Sequence, residues 1–144
     1  MFPNDPWANV IEMATLTIHA HGVADLTLAW ERYADPALWS TWAPQIQRVD
    51  TSMTRLTAGG TGTVRAGLLP RPTLGIPFEV LSVDEEAKEW SWEARLGPVR
   101  LLLEHGVTAH LTGSTTWLRV TGPLPVVLGY LPVARFALGR LVNA

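Results

Sequence analysis

The stretch that decides the fold is residues 89–111, which read EWSWEARLGPVRLLLEHGVTAHL. Apolar and polar side chains alternate over residues 89–96 and again over residues 99–111, and Gly97-Pro98 supplies a turn between the two runs. A period of two is typical of a strand with one buried face, and two such runs joined by a tight turn predict an antiparallel pair.

The same pattern extends outward from this pair in both directions. The predicted strands, in order, are residues 15–21, 46–52, 61–67, 74–83, 89–96, 99–111 and 114–120. Turn-forming residues separate them: Gly22, Gly59-Gly60, Pro70 with Pro72, the acidic Asp84-Glu85-Glu86, Gly97-Pro98 and Gly113. Strands that follow one another through short turns predict an antiparallel meander.

Helical periodicity is found between the first two strands and again at the C-terminal end. Asp25 is placed to cap a helix that runs to about Asp35, and Pro36 fits the first turn of a second short helix that ends near Ala43. An apolar stripe predicts the terminal helix: Val127, Leu128, Leu131, Ala134, Leu138, Leu141 and Val142. Pro132 removes one helical hydrogen bond and predicts a kink or an interruption.

The predicted fold class is therefore α+β, with a seven-stranded curved antiparallel sheet wrapped around a C-terminal helix. Two short helices lie between strands 1 and 2. In this prediction residues 1–13 form an N-terminal lead-in, and residues 14–144 form a single domain. A sheet covered on one face by one helix leaves a space between them in which a ligand can sit.

The composition narrows the function classes. Of the 144 residues, 47% are hydrophobic and 17% are charged, which is typical of a globular chain. The absence of cysteine excludes disulfides, thiolate metal sites and a cysteine nucleophile. A net charge of −2 argues against nucleic-acid binding.

The N-terminal residues show no basic cluster before an apolar run, so they do not resemble a secretory leader. The longest apolar stretch, residues 123–134, is too short to span a bilayer and is interrupted by Pro125 and Pro132. We therefore predict a cytoplasmic protein without stable membrane insertion. We also expect a monomer or weak dimer, without a metal or a cofactor.

Several short segments together resemble the START-like helix-grip superfamily, also called SRPBCC, and most closely its polyketide cyclase/dehydrase and lipid-transport family. The segments are Tyr33-Ala34-Asp35-Pro36, Leu38-Trp39, Trp42-Ala43-Pro44, Ile46, Val49, Gly62-Thr63-Val64, Phe78-Glu79-Val80, Trp90-Ser91-Trp92, His105-Gly106-Val107 and Gly122-Pro123-Leu124. The resemblance covers about residues 14–142. It implies a deep apolar cavity that holds a lipid, a polyketide or another hydrophobic molecule. Some members of the family catalyse cyclisation or dehydration in this cavity.

Trp90 and Trp92 are the first candidates for such a cavity. They stand two residues apart on one predicted strand, so both side chains share a face with Ala94 and Leu96. Two tryptophans on a concave face can stack on a flat apolar ligand, or they can simply fill volume. The predicted ligand-binding residues are Phe78, Trp90, Trp92, Leu103, His105, Leu128 and Leu131.

His105 is the candidate catalytic residue, because it shares an otherwise apolar strand face with Leu101, Leu103 and Val107. An imidazole in this position can act as a general acid or base, or it can orient a ligand hydroxyl or carbonyl. The structural alternative is a buried histidine whose hydrogen bonds go to the protein. Without a carboxylate partner, burial should lower the pKa of His105.

Other polar motifs carry weaker signals. His19 and His21 have the spacing of two metal ligands, but they lie on the predicted solvent face and no third ligand is evident. The acidic turn reads as solvated, and the pattern leaves open whether Glu79 and Arg119 face the cavity. The leading functional prediction is binding or transport of a hydrophobic small molecule. The alternatives are a cyclase- or dehydratase-like enzyme that uses His105, and a non-catalytic regulatory protein.

Overall fold

Seven antiparallel strands form one sheet in the computed structural model, which describes residues 12–67 and 74–143. The strands are β1 (Met13–Gly22), β2 (Ile46–Thr51), β3 (Thr61–Ala66), β4 (Leu74–Asp84), β5 (Glu89–Leu96), β6 (Val99–His110) and β7 (Gly113–Pro123). They follow the order β1-β7-β6-β5-β4-β3-β2 across the sheet, so β1 pairs with the last strand and the others form a meander. The predicted fold class is confirmed. The predicted turn at Pro70 and Pro72 and most of the predicted lead-in lie outside the described residues.

The described helices are α1 (Leu26–Ala34), a 3₁₀ turn (Pro36–Leu38), α2 (Trp39–Trp42) and α3 (Leu124–Asn143). The Asp25 carboxylate caps α1 by accepting a hydrogen bond from the Leu28 backbone N–H at 2.8 Å. Asp35 caps the 3₁₀ turn in the same way, accepting from the Ala37 N–H at 3.0 Å. Local capping chemistry therefore places the short helices between β1 and β2, as predicted.

The hydrophobic core lies between the concave face of the sheet and α3. The alternation read from the sequence decides which strand residues enter it: Trp90, Trp92 and Ala94 from β5, Leu101, Leu103, His105 and Val107 from β6, and Leu118 and Val120 from β7 are all buried. From α3, the buried residues are Val127, Ala134, Ala137, Leu138, Leu141 and Val142.

Hydrogen bonds hold both ends of α3 in place. At its start the Leu124 N–H donates to the Glu12 carbonyl at 2.7 Å, and near its end the Val142 carbonyl accepts from the Ala24 N–H at 2.8 Å. Arg32 of α1 donates to the Leu141 carbonyl at 2.5 Å. These bonds fix the helix across the sheet and satisfy carbonyls that the helix end leaves without partners.

Strand β7 is longer than the sequence pattern predicted, since it reaches Pro123 rather than Val120. Gly122 and Pro123 have low strand propensity, which ended the predicted strand early. Pairing with β1 extends it, because the register runs without a break from Met13 opposite Pro123 to Gly22 opposite Ser114.

The predicted interruption at Pro132 is wrong, because α3 runs unbroken from Leu124 to Asn143, 20 residues in all. The predicted kink stays a prediction. Pro132 and Leu128 lie on the outer side of the helix, where water can satisfy the Leu128 carbonyl that has lost its N–H partner. The uninterrupted helix is also long and apolar enough to cross a membrane, which the shorter stretch in the sequence did not suggest. Core helices of soluble proteins meet the same criterion.

Candidate ligand cavity

An aromatic cluster occupies the middle of the concave face. The Trp90 and Trp92 rings stack at 5.6 Å with an interplanar angle of 16°, and the His105 ring stacks on Trp90 at 4.7 Å and 10°. Trp39 of α2 packs on Trp90 at 5.6 Å, and Tyr33 of α1 meets the same ring at 5.7 Å. The short helices and the sheet thus hold these rings rigidly in one block.

A directed chain of hydrogen bonds runs through this cluster. The Trp92 indole N–H donates to His105 Nε2 at 3.0 Å, and His105 Nδ1 lies 3.2 Å from the Tyr33 hydroxyl. The Tyr33 hydroxyl lies 2.5 Å from Thr116 Oγ1, and the Thr116 hydroxyl donates to the Gly106 carbonyl at 2.9 Å. The Thr116 hydroxyl gives its proton to the Gly106 carbonyl, so it must accept a hydrogen bond from the Tyr33 hydroxyl. The Tyr33 hydroxyl in turn must accept from His105, which therefore carries its proton on Nδ1.

His105 is therefore a neutral imidazole with both ring nitrogens bound to protein groups. Burial lowers the pKa of His105 to about 3, in the direction that the sequence predicted. An imidazole that is neutral, buried and fully bonded has no free nitrogen to offer a ligand. This geometry does not favour the acid–base role that we predicted for His105, and it matches the structural alternative.

Two adjacent chambers lie between the sheet and α3. The larger, which we call the apolar chamber, has a volume of about 190 Å³. Its wall is mostly hydrocarbon from five strands and α3, including Val64, Ile76, Ala94, Leu101 and Val133. The smaller, which we call the aromatic chamber, has a volume of about 30 Å³ and is lined by Trp39, Trp42, Trp90, His105, Leu118 and Leu138, among others.

Four residues border both chambers and so form the boundary between them: Gln45, Ile46, Trp92 and Tyr130. Burial raises the pKa of the Tyr130 hydroxyl to about 12, so this group stays neutral. Two buried polar atoms of the aromatic chamber's residues, Gln45 Oε1 and Trp90 Nε1, have no hydrogen-bond partner within residues 12–67 and 74–143. The cavity is thus apolar in one part and carries unpaired polar groups in the other.

The structure separates the predicted ligand-binding residues into three groups. Trp90, Trp92, Leu103 and His105 line the chambers. Phe78 is buried behind them, with its ring 5.5 Å from both Trp39 and Trp92, but it does not line either chamber.

The two predicted residues of α3 are placed differently. Leu128 is 52% exposed, so its assignment to the cavity is wrong: its position on the helix turns it toward solvent. Leu131 is partly buried but lines neither chamber. The helix presents Tyr130, Val133 and Ala134 to the cavity instead.

Several cavity residues escaped the sequence analysis. Gln45 follows Pro44 in a segment whose sequence predicts a loop, and nothing in the local pattern indicates that this residue lines a cavity. Tyr130 interrupts an aliphatic stripe and carries no signal of its own. The spacing of Trp39 and Trp42 on one helical turn did offer a signal, since residues three apart share a face.

The remaining polar candidates lie outside the cavity. Glu79 is exposed, and Arg119 is on the outer sheet face, where it donates to Glu104 at 2.8 Å. His19 and His21 are exposed as predicted. Within residues 12–67 and 74–143, no group of three or more metal-ligating side chains is placed to hold an ion.

The acidic turn between β4 and β5 is bound rather than merely solvated. The Glu85 carboxylate accepts a hydrogen bond from the Trp30 indole N–H at 2.6 Å and pairs with Arg55 at 2.7 Å. Arg55 also pairs with Glu31 of α1 at 2.9 Å. The turn therefore anchors the β4–β5 hairpin to α1.

No protein-family model and no curated protein matches the sequence. Solved structures do match it. One is Ara h 8.0201, with a TM-score of 0.68 and 12% identity over 90% of this chain and 98% of the other. A putative uncharacterized protein from Rhizobium leguminosarum has a TM-score of 0.69 and 17% identity over 91% and 93%.

A protein from Chromobacterium violaceum is similar to the same degree, with a TM-score of 0.69 and 12% identity over 90% of this chain and 97% of that one. Identities this low show the fold and nothing finer. The chain has the Bet v 1/START-like helix-grip fold.

Proposed function

We propose that this protein binds a small hydrophobic molecule in the apolar chamber. The observation that carries the proposal is the chamber itself, about 190 Å³ of space walled mainly by hydrocarbon. Each Å² of apolar surface removed from water is worth about 25 cal/mol, so an apolar ligand that covers this hydrocarbon wall gains free energy of binding.

The chamber volume limits the size of the ligand. At about 190 Å³ it is smaller than the roughly 300–1,000 Å³ of pockets for drug-sized molecules, and slightly larger than the roughly 150 Å³ cavity that accepts benzene. A single substituted ring fits this space. A lipid with long chains, or an extended polyketide, would require α3 to move away from the sheet.

The finer parts of the sequence prediction remain predictions. Three of them rest on the sequence alone: membership of the polyketide cyclase/dehydrase and lipid-transport family, a role in transport, and a cytoplasmic location. Binding ranks above catalysis because both nitrogens of His105 are engaged within the protein. No specific observation favours the regulatory alternative.

Isothermal titration calorimetry with para-ethyltoluene tests the binding proposal. We expect one molecule to bind per chain. Ala94→Leu places extra volume in the apolar chamber, because Ala94 lines it and is buried, and this variant should lose binding. Ala109→Leu, at an exposed position of β6, is the matched control and should bind normally. Absence of binding by both para-ethyltoluene and para-ethylphenol, or equal binding by Ala94→Leu, would refute the proposal.

A further inference from the structure

One of the buried tryptophans has an indole N–H without a hydrogen-bond acceptor in the described part of the chain. Four buried tryptophans donate their indole N–H to a protein acceptor: Trp30 to Glu85 at 2.6 Å, Trp39 to the Tyr33 carbonyl at 2.8 Å, Trp42 to the Arg32 carbonyl at 2.9 Å and Trp92 to His105 at 3.0 Å. Trp90 is buried as deeply, with 3% exposure, yet its N–H has no acceptor among the residues that the structure describes. Buried indole N–H groups usually find a partner, so this exception needs an explanation.

The Trp90 ring is not free to turn toward a protein acceptor. His105 and Trp92 stack on it, and Tyr33 and Trp39 pack against it, all with ring centroids within 5.7 Å. A ring held by four others keeps its N–H in one direction. Trp90 lines the aromatic chamber on the concave side, so a group bound there can supply the missing acceptor.

Gln45 supplies the complementary group. Its Oε1 is buried and accepts no hydrogen bond from the described residues, and Gln45 lines the same chamber. The aromatic chamber holds about 30 Å³. Because one water needs about 10–15 Å³ measured in this way, the chamber has room for one or two oxygen atoms. One residue with an unpaired donor and one with an unpaired acceptor thus line a space of one or two oxygens.

A hydroxyl is the simplest ligand group that satisfies both, since it accepts one hydrogen bond and donates another. A carbonyl would satisfy Trp90 alone, and a hydrocarbon would satisfy neither residue. The adjoining apolar chamber has room for a ring, and the two chambers meet at Tyr130 and Trp92.

We propose that the ligand is a small ring-containing alcohol or phenol. Its ring lies in the apolar chamber, and its hydroxyl enters the aromatic chamber to accept from the Trp90 N–H and donate to Gln45 Oε1. This inference rests on the proposed function and names the ligand class for that same site.

The test compares two probes of nearly the same shape, para-ethylphenol and para-ethyltoluene, which differ by a hydroxyl in place of a methyl group. Calorimetry with the full chain gives both dissociation constants. Two net hydrogen bonds should favour the phenol by roughly ten- to thirtyfold. Trp90→Phe removes the donor and Gln45→Met removes the acceptor, and each should reduce this preference by roughly three- to tenfold.

Trp30→Phe is the matched control, because it removes a buried indole N–H that points at Glu85 and lies outside the cavity. It should leave the preference unchanged. Gln45 is only partly buried, so Gln45→Met keeps the test decisive if Trp90→Phe does not fold.

The outcomes separate the two proposals. If neither probe binds, the proposed function fails and this inference fails with it. If both probes bind with equal affinity, the cavity binds ligands but the hydroxyl assignment is overturned. A phenol preference that survives in both Trp90→Phe and Gln45→Met would show that other groups recognise the hydroxyl.

Discussion

The two sides of α3 meet the same sheet in different ways. On the closed side, α3 packs directly on β1 and β7, and Leu141 and Val142 are fully buried. On the open side, the apolar chamber separates Tyr130 and Val133 of the helix from β3, β4 and β5. One helix thus packs directly on the sheet along one side and forms a cavity wall along the other.

Polar groups follow the same division. The closed side holds the hydrogen-bond chain through His105, Tyr33 and Thr116, in which every member has a partner. The unpaired Gln45 Oε1 and the unpaired Trp90 N–H lie next to the open side. We infer that the closed side supplies the stability that the fold needs, while the open side gives up stability to keep a space for a ligand.

The largest expected difference between the sides comes from one substitution made on each. Val142→Ala removes two methyl groups from a fully buried site and should lower the free energy of unfolding by about 2–3 kcal/mol. Val133→Ala removes the same atoms from a partly buried wall of an existing void and should cost about 1 kcal/mol or less. Urea denaturation measures both, and equal losses would contradict the division.

Acid should weaken the closed side through His105. The pKa of His105 is about 3 when folded and about 6.5 when unfolded, so between these values the unfolded chain binds the proton more readily. The contribution of neutral His105 to the free energy of unfolding is fully present above the unfolded pKa of about 6.5, and the free energy of unfolding should fall by about 1.4 kcal/mol per pH unit below it. In the described part of the chain, the groups that hydrogen-bond to the ring or stack on it are Trp90, Trp92 and Tyr33, and none of them is a carboxylate that would offset this loss.

Urea denaturation at several pH values between 7 and 5 measures this slope. The control is His105→Phe, which keeps an aromatic ring and removes the titrating group. We expect the variant to be less stable at pH 7, because Tyr33 and Trp92 lose a partner, but to lack the dependence on pH in this window. An unchanged slope in the variant would show that another group titrates.

The inward-facing residues of the strands could largely be predicted from the sequence. A period of two fixes which strand residues point inward, so Trp90, Trp92, Leu103 and His105 were assigned to the correct face. The terminal helix was harder, because its exposed face also carries apolar residues such as Leu128 and Phe136. Hydrophobicity alone therefore did not show which side of α3 faces the sheet.

The open side could not be predicted, because a cavity depends on the separation of elements that are distant in sequence. Periodicity states that two faces point toward each other, but it does not state whether they touch. The chamber wall joins Gln45 from the segment before β2 to Tyr130 on the last helix. The hydrogen bonds of His105 likewise depend on Tyr33 and Thr116, which no local pattern connects to it.

The smallest expected effect comes from one hydroxyl removed on each side. Tyr33→Phe breaks the closed-side chain and leaves the His105 N–H and Thr116 Oγ1 without their partner, which should cost about 1–2 kcal/mol. Tyr130→Phe removes a hydroxyl at the cavity boundary that makes no hydrogen bond to the described residues, so it should change the free energy of unfolding by less than about 0.5 kcal/mol. Both variants keep the ring and its packing, so thermal and urea unfolding compare the hydroxyls alone. A cost at Tyr130 equal to that at Tyr33 would mean that the open side also depends on internal hydrogen bonds, and the contrast between the two sides of α3 would then be lost.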